Sequence, residues 1–209
     1  MKIGIVKYIL VFFLSFHSID LYSAGKAELV KQKWPFDGFF GRFDQAHKEP
    51  AALFKVLEVL PEGYEILIIG DKSSLSKDSL TKLRILSCKK KIAVVFKKGV
   101  SDKEKFDILI DSKLLFFSSS FEGYGLPPLE AQYCGVKAIC SDLPVLRETN
   151  KYAFFTSFDD LDDLKKTTNE AIQSKIKPVQ LRASVLEIAS PAVLRSNLEK
   201  VINELCPKA

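Results

Sequence analysis

With 209 residues the chain can bury one good core, a single domain with an appendage, because domains run ~100–200 residues. Its 31 Lys and Arg against 26 Asp and Glu give a mild formal charge of +5 with no block of five like charges, which argues against a nucleic-acid partner. Cys88, Cys134, Cys140 and Cys206 show no metal spacing, and His17 and His47 do not complete a zinc site, so no metal is expected and the thiols fit a reducing compartment.

In chain order, Lys2 and Lys7 lead into an unbroken apolar run, Tyr8 to Leu14, closed by Ser15 and Phe16. A spanning helix needs ~20 residues, so this run is too short to cross a membrane, but it has the size and charge layout of a signal peptide. A cut after Ala24 would place the bulky Tyr22 at the −3 position. As a signal it predicts a secreted or periplasmic protein. The competing reading is a last strand inherited from a missing first domain, which predicts a cytoplasmic one.

Phe36 to Phe43 reads as a strand ending at Gly41-Arg42. Leu53, Val56, Leu57 and Leu60 follow the i, i+3, i+4, i+7 spacing of a helix covered on one face, and Pro61-Glu62-Gly63 ends it. Tyr64 to Ile69 is the next buried strand, closing in Gly70-Asp71. Asp78 to Cys88 can form a helix and Ile92 to Phe96 a third strand. The densest basic cluster, Lys89 to Lys91 with Lys97 and Lys98, flanks that strand and reads as solvated ends, although an anionic ligand or an anionic membrane surface could use it. Gly99 to Asp102 reads as a turn with a helix cap, opening a helix from Lys103 to Ile110.

Leu114 to Phe117 is wholly apolar and is followed by Ser118, Ser119 and Ser120, the pattern of a strand buried on both faces that ends in a loop. In the loop, Gly123 and Gly125 permit positive φ and close backbone approach, and Pro127 and Pro128 suit the entry of a helix that runs to Cys134, with Gly135 as its C′ residue. A glycine-bearing turn from a strand's carboxyl end into a helix N-terminus is a ready anion site, since free N–H groups and the positive end of the helix dipole converge on it. Glu122 on the loop and Glu130, expected in the helix's first turn, frame that site. Carboxylates beside an anion site accept hydrogen bonds from hydroxyls, as from the diol of a ribose or a sugar. Phosphate and polyol together point to a nucleotide sugar.

The run Glu122, Gly123, Gly125, Leu126, Pro127, Glu130 and then Ala131 to Gly135 resembles the signature of retaining GT-B glycosyltransferases of family 4, or group 1. The resemblance implies that Glu130 holds the donor ribose hydroxyls, that Glu122 lies beside the donor sugar, and that the amides of Gly123, Gly125 and Leu126 approach the diphosphate. It also implies a Gly-Arg and a nearby Lys at the first strand end that bind the diphosphate and offset leaving-group charge; Gly41, Arg42 and Lys48 take those places, with Lys48 one position later than the commonest spacing. The backbone around Phe96 to Gly99 would meet the nucleobase. Ser18-Ile19-Asp20 followed by Ala24-Gly25 resembles the segment that leads into the family's interdomain linker.

Val136 to Cys140 is a further short strand, Ser141 to Pro144 with Arg147-Glu148 resembles the family's loop of similar composition, and Asp159 to Asp163 opens a polar helix. Ser190-Pro191 caps a last helix whose Leu194, Leu198, Val201, Ile202 and Leu205 share one face. Strands alternating with helices from Phe36 to Phe155 predict an α/β fold, a doubly wound parallel sheet of Rossmann-like type with ligands at the strands' carboxyl ends. The expected organisation is an apolar segment and linker over 1–35 and a nucleotide-sugar-binding domain over 36–209, a single GT-B half-domain.

The function expected is transfer of a sugar from a nucleotide-diphospho-sugar, with retention of configuration, without metal or other cofactor, and with a separately encoded acceptor-binding protein supplying the other half of the cleft. Half a cleft cannot orient an acceptor or exclude water, so the rival expectation is a non-catalytic binding module or an inactive product. A dinucleotide dehydrogenase is set aside because no G-x-G-x-x-G follows the strand ending at Gly41.

Overall fold

The computed structural model describes residues 7–11, 36–40 and 50–205. Two N-terminal strands, β1 (Lys7–Val11) and β2 (Phe36–Phe40), precede α1 (Pro50–Val59), β3 (Tyr64–Ile69), a 3-10 turn (Lys72–Ser74), α2 (Lys77–Lys90) and β4 (Ala93–Lys97). There follow α3 (Asp102–Asp111), β5 (Ser112–Phe117), α4 (Leu126–Tyr133), β6 (Lys137–Ser141), α5 (Pro144–Thr149) and β7 (Phe154–Thr156). Three helices close the order: α6 (Leu161–Gln173), α7 (Pro178–Ala189) and α8 (Pro191–Leu205).

The described strands form one seven-stranded sheet in the order β4-β3-β1-β2-β5-β6-β7, and all its pairings are parallel. Both N-terminal strands register against β3 and against β5. Parallel neighbours require crossovers, and helices supply them, which is why strand and helix alternate and why all carboxyl ends share one edge. Helices α1, α2 and α6 pack together, as do α3, α4 and α7, in the doubly wound Rossmann-like arrangement expected from the sequence.

The core follows from the apolar periodicities. Leu53, Val56 and Leu57 of α1 are fully buried, as are Ile66 and Ile68 of β3, Leu115 and Phe116 of β5, and Ile139 and Cys140 of β6. The edge strand β4 behaves differently: Ala93, Val95 and Lys97, which share one face of the strand, are exposed, and among the described strands β4 pairs only with β3. The basic cluster beside it is largely paired within the chain. Lys90 donates to the Glu58 carbonyl near the end of α1 at 2.7 Å, Lys91 pairs with Glu62 at 2.8 Å, and Lys98 with Asp71 at 2.5 Å.

Two helices were not foreseen. Residues 144–149, read as loop, form α5 with Pro144 opening it, and α7 has only a narrow buried stripe, Leu181, Ser184 and Val185, beside exposed Val179 and Leu186. In α8, Leu198 of the shared apolar face is exposed. No helix among the described residues is long and apolar enough to cross a membrane.

Helix α3 carries a capping box. The Ser101 hydroxyl accepts from the Glu104 amide at 3.3 Å, and the Ser101 amide donates to Glu104 Oε2 at 2.9 Å. Ser101→Ala is expected to cost about 0.5–2 kcal/mol in chemical denaturation. An unchanged midpoint would show that the cap does not anchor this helix.

Candidate functional site

Strand β5 ends at Phe117, and the loop that follows is tied down at both ends. The Ser119 amide donates to the Ser141 hydroxyl at the end of β6 at 2.8 Å, and the Ser119 hydroxyl donates to the Phe121 carbonyl at 2.8 Å. At the far end the Thr149 hydroxyl lies 2.9 Å from the Tyr124 carbonyl and 2.9 Å from that of Val145, so its single proton is shared between loop and helix. Asn150 donates to Thr149 at 2.8 Å, and Gln132 of α4 donates to Asn150 at 2.8 Å and to the Pro128 carbonyl at 3.1 Å. This buried chain of amides and a hydroxyl joins the loop, α4 and α5.

Gly125 is the N-cap of α4 and sits in the left-handed region at φ 78°. A Cβ there would lie 2.2 Å from Cδ2 of buried Leu146, so α5 sets how closely the turn packs. Of the two loop glycines expected to use positive φ, Gly125 does and Gly123 does not; a Cβ at Gly123 would meet nothing within 4 Å. Gly135 takes its C′ position at φ 83° as expected, and the start of α7 packs on it, with Pro178 Cβ 2.6 Å from where a Cβ would be.

The prolines shape the helix entrance chemically. Pro127 and Pro128 carry no N–H, so the amides near the turn come from the loop, Gly125, Leu126 and then Leu129. Together with the helix dipole these make a cradle for an anion.

Glu130 lies in the second turn of α4, one turn deeper than expected. It is buried at 7% exposure, and Oε1 accepts from Nζ of Lys105 on α3 at 2.9 Å. Oε2 is sealed from solvent and has no hydrogen-bond partner among the described residues. Burial holds the carboxyl above the usual carboxylate range, with the Lys105 charge and hydrogen bond working the other way. Glu122 is half-buried on the loop. The thiol of Cys140 is pushed up, first by complete burial and then by the charge of Glu122.

The structure therefore brings Glu122, Gly123, Gly125, Leu126 and Glu130 into one strand–loop–helix unit. Gly41, Arg42 and Lys48 lie outside the described residues, as do residues 12–35 with the candidate cleavage site at Ala24. The preceding strand β2 pairs in parallel with β5, Gly38 opposite Leu115, so both strands run toward the same edge. Lys105, Gln132, Thr149 and Asn150 were missed as site residues. Lys105 had a signal: it stands four positions before buried Leu109, on the stripe of α3 where an apolar residue belongs.

Residues 26–185, more than half of the chain, match the family of glycosyl transferases group 1. The chain belongs to that family. Over 128 residues it is 30% identical to the serotype-specific mannosyltransferase WbdA of Escherichia coli, a match that covers 60% of this chain and 16% of WbdA. The chain thus spans only a small part of that relative's length. Among solved structures, TarM aligns with a TM-score of 0.57 at 20% identity, over 78% of this chain and 34% of TarM. Anabaena HepE, solved in complex with UDP and glucose, aligns at 0.59 and 17% identity, over 80% of this chain and 47% of HepE. At these identities the likeness is one of fold, the Rossmann-like sheet of GT-B glycosyltransferases.

Proposed function

We propose that this group 1 chain binds the nucleoside diphosphate of a sugar donor at the turn from β5 into α4, for transfer of the sugar with retention of configuration. The observation that carries the reading is Glu130: a buried carboxylate with one oxygen paired and the other without a donor among the described residues, on the helix whose N-terminus forms an anion cradle. A sealed acceptor without a partner is costly unless a ligand hydroxyl completes it.

In this reading the amides of Gly123, Gly125 and Leu126 take the diphosphate, and Glu130 accepts from the ribose hydroxyls. Glu122 positions the donor sugar, Gly41 belongs to the donor-binding turn, and Arg42 and Lys48 offset charge on the departing diphosphate, so no metal is needed. The acceptor is oriented by the opposite side of the cleft. WbdA is a mannosyltransferase and HepE was captured with UDP and glucose, so GDP and UDP are the nucleotides to compare.

Calorimetry without added metal tests the donor site. UDP or GDP is expected to bind about tenfold or more tighter than the matching nucleoside, since charge-assisted bonds to the diphosphate contribute about 1.5–3 kcal/mol. A folded chain that binds neither nucleotide, or binds nucleoside equally well, removes the reading. Sugar transfer that begins only on adding a partner protein would extend it to catalysis.

A further inference from the structure

Lys105 is as deeply buried as the carboxylate it meets, with side-chain exposures of 8% and 7% for Lys105 and Glu130. A second carboxylate near it, that of Asp102, is 3.5 Å away and 77% exposed. A lysine in an apolar interior carries a desolvation cost that a charged partner must offset, and Glu130 is a partner as deeply buried as the lysine itself. The pairing is one-sided, because it engages Oε1 and leaves Oε2 with no donor among the described residues. Among the described residues, the titratable and charged groups facing the carboxyl are Lys105 and Asp102 from α3 and the thiol of Cys134 at the C-cap of its own helix, with Arg182 of α7 acting on the Cys134 side. Burial pushes that thiol up to about 12, so it stays neutral, and among the described residues Lys105 is the cation in direct contact with Glu130.

We propose that Lys105 is a positioning residue of the nucleotide site: it holds Oε1 of Glu130 and supplies the counter-charge that keeps Oε2 an ionised acceptor for the ligand's ribose hydroxyls. The inference rests on the nucleotide-binding reading above. Lys105 acts through Glu130, not on the ligand. Its consequence therefore appears in pH dependence. Burial already raises the Glu130 carboxyl, and without the cation it would rise further, so the acceptor would protonate at a pH where the wild type still carries charge.

The test is calorimetric titration of the full chain with UDP and GDP from acid to alkaline pH. It compares wild type, Glu130→Gln, Lys105→Met, Lys105→Gln and Lys105→Arg. Wild-type affinity should be level in alkali and fall in acid. In Lys105→Met the falling limb should move up by about one pH unit or more, giving about tenfold weaker binding on the limb and recovery toward wild type in alkali. Lys105→Arg should keep the wild-type limb. Lys105→Gln offers Oε1 an amide donor without charge; it should move the limb as Met does, and it carries the test should the Met variant fail to fold.

A limb that stays in place in both neutral variants overturns the assignment, as does a loss uniform across pH, which would mean packing or direct contact. If wild type binds neither nucleotide, or Glu130→Gln binds as wild type does, the nucleotide reading of Glu130 itself fails and takes the role of Lys105 with it. If Glu130→Gln weakens binding while the Lys105 variants do not shift the limb, that reading stands and only the role of Lys105 falls.

Discussion

Replacing Glu130 with glutamine or alanine is expected to weaken nucleotide binding by about 1–3 kcal/mol, roughly 5- to 150-fold, by removing the charged acceptor for ribose hydroxyls. Glutamine is the sharper probe, since it keeps the volume and one oxygen while losing the charge. Both variants also remove the charge that Lys105 meets at 2.9 Å, and breaking a buried pair from one side costs about 3–5 kcal/mol of stability. Affinity must therefore be measured where each variant is folded. Wild-type affinity should fall on acidification from a pH above the ordinary Glu value of about 4.3, because burial raises the Glu130 carboxyl and the ionised form is the better acceptor. Stability carries the opposite sign. A carboxyl whose folded pKa lies above its unfolded value favours the fold when protonated, so that contribution is present in acid and lost as pH rises through the folded value. In Glu130→Gln both dependences should vanish together. An acid limb of binding that survives in Glu130→Gln would assign it to another group.

The parts of this site that the sequence reveals are those where local chemistry dictates backbone. An apolar run, three serines, two glycines and two prolines leave few alternatives for β5, its loop and α4, and β3 falls on the expected residues Tyr64–Ile69. What escaped depends on tertiary neighbours. Helix α5 is six residues long, too short to show an apolar period, yet through Leu146, Thr149 and Asn150 it is what the turn packs against. The position of Lys105 on the buried stripe of α3 is legible, but the carboxylate it meets shows only when α3 is laid beside α4. The depth of Glu130 was misjudged by one turn because the helix begins at Leu126, and the distance of a carboxylate from a helix end is not written in residue spacing alone.

Gly125→Ala is expected to lower stability by about 2–5 kcal/mol, and two separate costs contribute. The left-handed conformation at φ 78° is unfavourable by roughly 1–2 kcal/mol for a residue with a Cβ. The new methyl would also meet Leu146 Cδ2 at 2.2 Å and Asn150 Nδ2 at 3.4 Å, and overpacking a core adds about 1–3 kcal/mol. Leu146 is fully buried and cannot turn into solvent, so the strain falls on the loop. For a chain of this size the melting temperature should drop by roughly 5–15 °C. Adding Leu146→Ala separates the terms, because the double variant relieves the clash and keeps the backbone cost, so its loss should be smaller than the sum of the two single losses. Gly123→Ala is the contrast. Its position has neither positive φ nor any atom within 4 Å, so stability should change by less than about 0.5 kcal/mol, while a diphosphate held by the loop amides would meet the added methyl and bind more weakly. The two glycines thus divide the roles within one loop, Gly125 shaping the turn and Gly123 leaving room at its surface. Equal stability of Gly125→Ala and wild type would show that α5 does not set the turn, and full nucleotide affinity in Gly123→Ala would move the diphosphate away from it.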